Sequence, residues 1–513
     1  MAVLWLRDFS GGLNNRFRQN RIADKESIAL RNARWNRVGA LTKRLGTTRT
    51  AMSASGLGAI NTIFAKEGSS TEELLMSDGD QVAVVGTSLT GDSNIITGLN
   101  NEWPPEFLTF NGATYMINGN DTARKITTAN GVSTIASYPA ARFHVAHQGY
   151  VFTLNQDTGG NRNRLQWSTN GDPESWPSTN FEDIQPFGNS VGLGLYSLGD
   201  ELIVFQGPNY TGSARVYNTG KIYRILGDVF DPSNPTYLIE EIPMPPDVGL
   251  LGNAHRAVKA LGGELIFPTN NGFYKYLPGG GMPVPISESM GGDIDNWEKA
   301  DINAAIRMAA AAVWKNEYVC SLYNDSVSAD GYNNRIYLLD IQKKWLIDIL
   351  DSGSDNFSAG GGTGSCFTIF NGSLYGCTGS EAAIRQYYVD NAFSDNRDGG
   401  TTGSVNFSFL TREFDLDKEV YFTHCYVHLR RQSSGTLTFE VNLDQRGATS
   451  NSIDMTAPDD GSAQTSSSAV LRKRVNIEDR GQTIQFRFHN RAGVDVEIYA
   501  VELYFEQSDQ SIQ

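Results

Sequence analysis

The feature that most constrains this chain is a repeated unit of four short extended segments joined by tight turns. The unit is clearest at residues 254–287, where apolar runs such as Leu265-Ile266-Phe267 alternate with the turn sequences Gly262-Gly263 and Asn271-Gly272. Glycine supplies the positive φ that a two-residue hairpin demands. Four such strands form an antiparallel meander, and a meander this small cannot bury both of its faces alone. The unit must therefore stack against copies of itself.

Seven such units follow one another between residues 58 and 391, with their first turns roughly 40–60 residues apart. Six of the units have the first turns Asn111-Gly112, Gln148-Gly149, Gly199-Asp200, Gly262-Gly263, Lys315-Asn316 and Asn371-Gly372, and the first unit has the turn Asp78-Gly79 after its second strand. This period is typical of β-propeller blades and not of helical solenoids. The seventh unit lacks an obvious fourth strand, and we predict that a strand at residues 41–45 closes the ring. Six or eight blades, or a pair of face-to-face sandwiches, fit the same pattern.

The fold class predicted is all-β, with about seven four-stranded blades and two flanking regions. Residues 1–57 form a basic N-terminal arm with the closing strand, and residues 58–391 form the propeller. Residues 392–403 have the composition of a linker. Residues 404–513 carry longer alternating strands between Gly- and Ser-rich turns, which indicates a C-terminal β-sandwich or jelly roll.

Charge separates the N-terminal arm from the rest of the chain. The whole sequence has 42 Lys and Arg against 57 Asp and Glu, a net charge of −15, which argues against gripping nucleic acid by phosphate neutralisation. A cationic segment on an acidic chain attracts anionic partners, so we predict contacts with a neighbouring subunit from basic residues of the arm. The candidates are Arg16, Arg18, Arg21, Arg31, Arg34, Lys43 and Arg44. The alternative is a solvated arm whose charges pair with the chain's own carboxylates.

Signals for other classes of protein are weak. The N-terminus lacks the apolar core of a signal peptide, and no apolar run is long enough for a membrane span. The four cysteines lack metal spacing, which indicates reduced, structural thiols. The motifs of zinc proteases, P-loop proteins and hydrolase elbows do not occur. We therefore predict no enzyme, no cofactor and no metal site.

Individual histidine and acidic residues fit structural roles better than chemical ones. His424 and His428 share one face of a strand but lie about 13 Å apart, too far to share a metal. Residues 395–400 come nearest to a calcium loop but are too short for one, and we predict solvated loop carboxylates there, as for Asp228 with Asp231.

One stretch of the third unit resembles a known propeller turn. Residues 167–176, which begin Trp167-Ser168-Thr169 and end Glu174-Ser175-Trp176, are similar to the Asp-box turns of sialidase-type propellers. In those turns the Gly comes one residue later and the Trp one residue earlier. Asp boxes are structural hairpin turns, so the similarity indicates a propeller and identifies no catalytic site. Trp103, Trp167 and Trp176 are candidate sugar-stacking rings, with packing between strands as the alternative.

The order of several stretches resembles one family. Residues 8–14 (Asp-Phe-Ser-Gly-Gly-Leu-Asn), 30–33 and 39–46 resemble the opening of tail hub or nozzle proteins of short-tailed double-stranded DNA bacteriophages. These are also called tail tubular protein B or stabilisation proteins. Residues 166–176, 202–205 and 263–274 are similar to later motifs of that family. The resemblance covers most of residues 8–390.

The resemblance implies a structural virion protein, made in the host bacterial cytoplasm and placed in the tail. Such proteins are propellers assembled as a ring, usually of six copies, below the portal and its adaptor. The ring encloses the DNA exit channel and anchors fibres or tailspikes. An acidic channel would repel phosphates, so genomic DNA would pass without specific binding. The alternatives are a tail-fibre connector and a carbohydrate-binding or glycan-cleaving propeller, because a propeller alone decides no function.

Overall fold

The computed structural model describes the chain with several short gaps, and almost all of what it describes is β-structure. The described residues are 1–52, 56–156, 160–184, 190–208, 220–227, 230, 236–294, 297, 308–324, 333–350, 364–396, 402–459 and 469–507. Within these ranges the helical segments are one short α-helix, Gly291–Ile294, and the 3-10 turns Gln19–Arg21, His255–Ala257 and Glu288–Met290. No helix in the described ranges is long and apolar enough to cross a membrane. The predicted all-β class is confirmed.

Five short strands precede the propeller. They are β1 (Ala2–Leu6), β2 (Ser27–Arg31), β3 (Ala33–Trp35), β4 (Leu41–Lys43) and β5 (Gly46–Ala51).

Seven four-stranded antiparallel blades follow, as predicted. Blade one contains β6 (Thr62–Glu67), β7 (Glu72–Ser77), β8 (Val82–Val85) and β9 (Ser93–Ile96). Blade two contains β10 (Glu106–Phe110), β11 (Ala113–Ile117), β12 (Arg124–Ile126) and β13 (Val132–Thr134). Blade three contains β14 (Ala141–His147), β15 (Tyr150–Gln156), β16 (Arg164–Trp167) and β17 (Phe181–Asp183). Blade four contains β18 (Ser190–Leu198), β19 (Glu201–Pro208), β20 (Lys221–Leu226) and β21 (Leu238–Ile242). Blade five contains β22 (Lys259–Leu261), β23 (Glu264–Thr269), β24 (Gly272–Tyr276) and β25 (Val284–Pro285). Blade six contains β26 (Ala310–Trp314), β27 (Glu317–Leu322), β28 (Arg335–Leu339) and β29 (Trp345–Asp348). Blade seven contains β30 (Cys366–Phe370), β31 (Ser373–Cys377) and β32 (Ala383–Val389).

The hairpin turns have the backbone that the sequence predicted. In the first turn of blade two, Asn111 and Gly112 have φ of 48° and 74°, and in blade seven Asn371 and Gly372 have 48° and 73°. Two consecutive positive φ values match the right-handed twist of the flanking strands. The first strands of consecutive blades contact one another, so these strands line the axis of the ring.

The ring is closed by the N-terminal arm, but not by the predicted strand. The fourth strand of blade seven is β5, paired antiparallel with β32. Residues 41–43 instead pair with β40 of the C-terminal domain. The prediction that a strand at residues 41–45 closes the ring is therefore wrong, because the next strand along the chain closes it. Gly46 marks the difference, because a Cβ there would lie 2.0 Å from the Ser394 carbonyl oxygen. Only glycine lets β5 pass that close to its other neighbour.

The C-terminal domain is a strongly bent sheet with two packed layers. The strands that follow blade seven in sequence are β33 (Ser394–Asn396), β34 (Thr402–Ser404), β35 (Phe407–Thr411), β36 (Phe414–Arg430), β37 (Thr436–Leu443), β38 (Ala448–Asp454), β39 (Val470–Asn490) and β40 (Glu497–Gln507), and those from β35 onward belong to the C-terminal sheet. The first half of β39 pairs with β36, and its second half lies between β35 and β37, so one long strand serves both layers. The first two of these strands, within the predicted linker 392–403, extend blade seven through β5.

The N-terminal arm contributes to this domain as well as to the propeller. Strand β2 pairs with β35, whereas β1 and β4 pair with β40. Phe9 is fully buried, with its ring edge-on to Phe409 and Phe488 at 5.6 and 6.0 Å. Four of the five arm strands thus complete the C-terminal sheet, and the fifth completes the propeller.

Candidate functional sites: the N-terminal wedge and the propeller axis

Residues 8–46, here called the N-terminal wedge, lie between the propeller and the C-terminal domain. At their centre is Asn32, which is fully buried and has a positive φ of 54°. Its Nδ2 donates to the Asn406 carbonyl at 2.8 Å, and its Oδ1 accepts from Arg44 Nε and the Ile349 backbone N–H, both at 2.8 Å. One amide therefore links the wedge, blade six and the start of β35.

Two arginines of the wedge form ion pairs with carboxylates inside the protein. Arg44 donates to Asp395 at 2.9 and 2.5 Å and to the Ile349 carbonyl at 2.8 Å. Arg34 makes a two-pronged contact with the buried Asp348 carboxylate. Burial disfavours both guanidinium charges, but the neighbouring carboxylates outweigh it and raise the pKa of Arg34 and Arg44. Paired and hydrogen-bonded charges of this kind are the form in which proteins tolerate buried ions.

The seven predicted contact residues are divided by burial. Lys43 is buried like Arg44, with Nζ donating to Asn490 Oδ1 at 3.0 Å and to the Ala492 carbonyl, and Arg31 is half-buried. Arg16, Arg18 and Arg21 are exposed around the Gln19–Arg21 turn. Only these three lie where another subunit can reach the charge directly. A role for any of the seven in subunit contact stays a prediction.

The Gln19–Arg21 turn, which two of the exposed arginines flank or belong to, lies against the C-terminal domain. The Gln19 carbonyl accepts from the Glu413 backbone N–H at 3.3 Å, which fixes the turn against the β35–β36 connection. An open cleft of about 470 Å³ next to this connection is lined by Glu413, Glu419 and Asp444. The surface thus carries adjacent basic and acidic patches.

A second cluster of charged side chains lies at the propeller axis. Arg256, in the turn before β22, donates Nε to Glu106 at 2.7 Å. Its other nitrogens donate to Thr62 Oγ1 at 2.9 Å and to the Asn61 and Pro105 carbonyls at 3.0 and 3.1 Å. Arg256 therefore ties blade five to blades one and two across the ring.

Glu106 is held as an anion in this cluster. His255 Nε2 lies 2.8 Å from the same Glu106 oxygen that Arg256 contacts. Burial alone would raise the pKa of Glu106, but Arg256 and His255 outweigh it and lower that pKa to about 2. An ionised carboxylate can bind or orient a ligand, but it has no proton to donate near neutral pH.

Three buried ring nitrogens near this cluster have no hydrogen-bond partner among the described residues. They are His144 Nε2, His255 Nδ1 and Trp103 Nε1. The charge of Glu106 acts on both histidines, and the Arg142 guanidinium covers the Trp103 ring at 3.3 Å. Buried polar atoms of this kind usually have water or a ligand as partner.

Two of the three tryptophans considered for sugar stacking, Trp167 and Trp176, are packed against other residues of the propeller, and Trp103 is half-buried under Arg142. Trp167 is fully buried and donates Nε1 to the Phe230 carbonyl at 2.8 Å. Trp176 packs against Tyr138 with ring centroids 4.6 Å apart. The turn between them is closed by backbone bonds from Thr169 to Ser175 and from Asp172 to Thr169. The stretch that resembles an Asp box is thus a structural turn of blade three.

The remaining candidates from the sequence have structural environments. All four cysteines are free and buried, as predicted. In the described ranges no group of three or more His, Cys, Asp or Glu is placed to hold a metal ion. The prediction of a solvated carboxylate at Asp395 is wrong, because Asp395 is buried and forms an ion pair with Arg44. Asp228 and Asp231 lie outside the described residues.

Comparison with known proteins gives only distant likenesses. No family model matches the chain, and no curated protein matches it. Among solved structures it is similar to the exo-β-1,3-galactanase of Phanerochaete chrysosporium with galactose, at 11% identity and a TM-score of 0.28, over 89% of this chain and 100% of that one. A glycoside hydrolase matches at 10% identity and a TM-score of 0.27, over 87% and 99% of the two chains. Likenesses this distant carry no argument about shared sites.

One prediction is nevertheless corrected by these matches. The sequence predicted a chain that is not an enzyme, whereas the matched solved structures are glycoside hydrolases. The prediction that this chain is not an enzyme is therefore withdrawn.

Proposed function

We propose that this chain is a tail hub or nozzle subunit of a short-tailed double-stranded DNA bacteriophage. In this proposal it forms a ring, usually of six copies, below the portal and its adaptor in the virion tail, after synthesis in the host cytoplasm. The ring encloses the exit channel and anchors fibres or tailspikes. Genomic DNA passes without specific binding, because the chain carries a net charge of −15 and repels phosphate.

The observation that carries the proposal is where the family-like N-terminal stretches lie. Residues 8–14, 30–33 and 39–46 are three separate stretches of the N-terminal wedge, and they contact one another there. The Phe9 backbone N–H donates to the Gly39 carbonyl at 3.0 Å, and the Arg44 N–H donates to the Asn32 carbonyl at 2.9 Å. Their residue types are therefore needed together.

The glycines of these stretches support the same point. Gly39 has a φ of +83°, and a Cβ there would lie 2.8 Å from Asp8 Oδ1, which accepts from the Ser10 backbone N–H at 2.9 Å. A Cβ on Gly11 would lie 2.7 Å from the backbone nitrogen of Glu26. Both positions exclude a side chain, so the resemblance falls on residues that this fold requires.

The exposed arginines are the proposed contact with a neighbouring copy. Arg18 and Arg21 are exposed at the Gln19–Arg21 turn, and Arg16 forms an exposed ion pair with Glu288 at 3.0 Å. Exposed ion pairs contribute little and are readily exchanged for another partner. The acidic cleft of Glu413, Glu419 and Asp444 on the next copy has the complementary charge.

Assembly of the purified chain tests this proposal. Mass photometry and negative-stain electron microscopy are expected to find rings with a multiple of the 56.2 kDa monomer mass. The triple variant Arg16→Glu, Arg18→Glu, Arg21→Glu is expected to stay monomeric. A matched control reverses three basic residues away from both surfaces, Arg124, Lys315 and Arg430, and is expected to assemble. Equal assembly of both variants would refute the proposed contact.

A second candidate function, a carbohydrate-binding or glycan-cleaving propeller, is favoured by one observation. The rings of His144 and His255, each with one unpartnered nitrogen among the described residues, lie near the ionised Glu106 at the axis. Screening on a glycan array and for release of reducing sugar tests this candidate, with Glu106→Gln expected to abolish any signal. A signal unchanged in that variant would place the sugar elsewhere.

A further inference from the structure

The outer face of the C-terminal sheet presents aromatic rings and arginines together. We name it the aromatic–arginine face and define it by Trp5, Tyr426, Tyr504, Arg7, Arg472 and Arg474. Strands β1, β40, β36 and β39 lie side by side here, with Trp5 opposite Glu502, Glu502 opposite Tyr426, and Tyr426 opposite Arg474. Alternate residues of β36, such as Cys425 and Val427, are buried on the other side. The face therefore belongs to the surface by the register of the strands.

The arginines of this face are stacked on its rings. The Arg472 guanidinium lies 3.5 Å from the Tyr426 ring centroid, and that of Arg7 lies 3.8 Å from the Trp5 centroid. A stacked guanidinium keeps its N–H donors around its edge, where carboxylate or phosphate groups bind with two hydrogen bonds. Anion-binding groups and flat apolar rings are thus adjacent.

The polar groups at the centre of the face are fixed in position. Glu502 accepts from Arg472 Nη2 at 2.8 Å, lies 3.2 Å from His428 Nε2, and also accepts from the Tyr504 hydroxyl. Tyr504 stacks on His424 with centroids 4.7 Å apart. The rings therefore need little reordering when a ligand binds, which favours affinity.

The charge of the face is opposite to that of the whole chain. The face carries three arginines against two carboxylates, while the chain carries −15 overall. The carboxylates are Glu502, which accepts from Arg472, and Glu506, which lies on the same side of β40 by strand alternation. Burial, then Arg474 and Arg472, lower the pKa of His424, so its ring is neutral at about pH 7. The positive charge rests on the arginines, and it is complementary to an anionic ligand.

We propose that the aromatic–arginine face binds an anionic saccharide, with sugar rings packed against the Trp5–Arg7 and Tyr426–Arg472 stacks and carboxylates on Arg7 and Arg474. Trp5 is 40% exposed on β1, which among the described strands pairs only with β40, so a ligand can reach it from the side. Four strands span about 14 Å, which matches a short oligosaccharide. The acidity of the whole chain favours a short saccharide over a long nucleic acid.

Calorimetric titration of the full chain with trigalacturonic acid tests the proposal. Binding is expected to be saturable, to weaken with salt, and to be at least about tenfold tighter than for neutral galactotriose. Arg474→Gln and Trp5→Ala are each expected to weaken it about tenfold, whereas Lys418→Gln, an exposed charge on β36 outside the face, leaves it unchanged.

The other outcomes overturn the proposal. These are no saturable binding, equal binding of galactotriose, tighter binding of a single-stranded oligothymidylate, or an unchanged affinity in Arg474→Gln. Arg474 is exposed, so its variant is expected to fold even if Trp5→Ala does not. Glu106→Gln is expected to bind trigalacturonic acid like the unaltered chain, which separates this face from the propeller axis.

Discussion

Arg44 and Asp395 form a two-pronged, fully buried ion pair, with hydrogen bonds of 2.9 and 2.5 Å and side chains 1% and 0% exposed. The arginine belongs to the N-terminal wedge, and the aspartate follows blade seven on β33. The pair thus fixes the start of the chain to the junction of propeller and C-terminal domain. Its two partners are 351 positions apart in sequence.

Removing one partner of this pair is expected to destabilise the whole protein. Arg44→Met leaves the Asp395 charge buried without its main partner, which should cost about 3–5 kcal/mol of unfolding free energy. The control Arg430→Met removes an arginine that is 55% exposed and should cost under about 1 kcal/mol. Urea denaturation followed by intrinsic fluorescence measures both, and equal midpoints would contradict the structural role of the pair.

Closure of the ring by β5 depends on a missing side chain. Gly46→Ala places a Cβ 2.0 Å from the Ser394 carbonyl oxygen, so β5 and β33 must separate. We expect a clear loss of thermal stability and faster proteolysis near residue 46. Gly86→Ala is the control, because nothing lies within 4 Å of its Cβ and its φ is not positive. Identical melting curves for the two variants would show that blade seven is not closed this way.

The thiols are expected to be unreactive while the protein is folded. All four cysteines are free and buried. Burial raises the pKa of Cys320 to about 12 and raises that of Cys425, whereas a hydrogen bond with Cys377 and the charge of Arg256 lower the pKa of Cys366. Slow labelling of Cys366 therefore rests on its burial alone. Since the thiolate is the reactive form, the aromatic disulfide reagent DTNB should label the native chain very slowly and all four thiols in guanidinium. Rapid labelling of any thiol in the native chain would contradict this burial.

Acid should destabilise the propeller through His144. Burial lowers the pKa of His144 to about 4 from its ordinary 6.5, so between these pH values the unfolded chain binds a proton that the folded chain does not. Stability is therefore complete above about pH 6.5 and falls as the pH drops towards 4. His144→Gln, which cannot titrate, should flatten this part of the stability curve. An unchanged pH dependence in denaturant titrations would remove His144 as a cause.

The blades were predictable because their signals are local. Turn pairs such as Asn111-Gly112 determine the hairpins, and their spacing indicates the period of the ring. The closing strand was misplaced because residues 41–45 and 46–51 are both short and extended. What separates them is the contact of Gly46 with Ser394, which only the folded chain shows.

The candidate sites were less predictable because their partners are far apart in sequence. The basic composition of the wedge made Arg44 a candidate contact residue. It did not predict that Arg44 would be buried in an ion pair with Asp395. Glu106 and Arg256 are 150 positions apart and carry no motif, so the axis cluster was missed. Asn32 was visible only within a family-like stretch, and its positive φ and burial depend on tertiary contacts.

Gold-labelled antibody electron microscopy of intact particles that carry this chain tests the tail hub proposal most directly. The proposal predicts label on a short tail, on the side away from the portal. Label on lateral fibres would instead favour a tail-fibre connector. Absence of label from all virions, with the chain detected only outside them, would contradict the proposal.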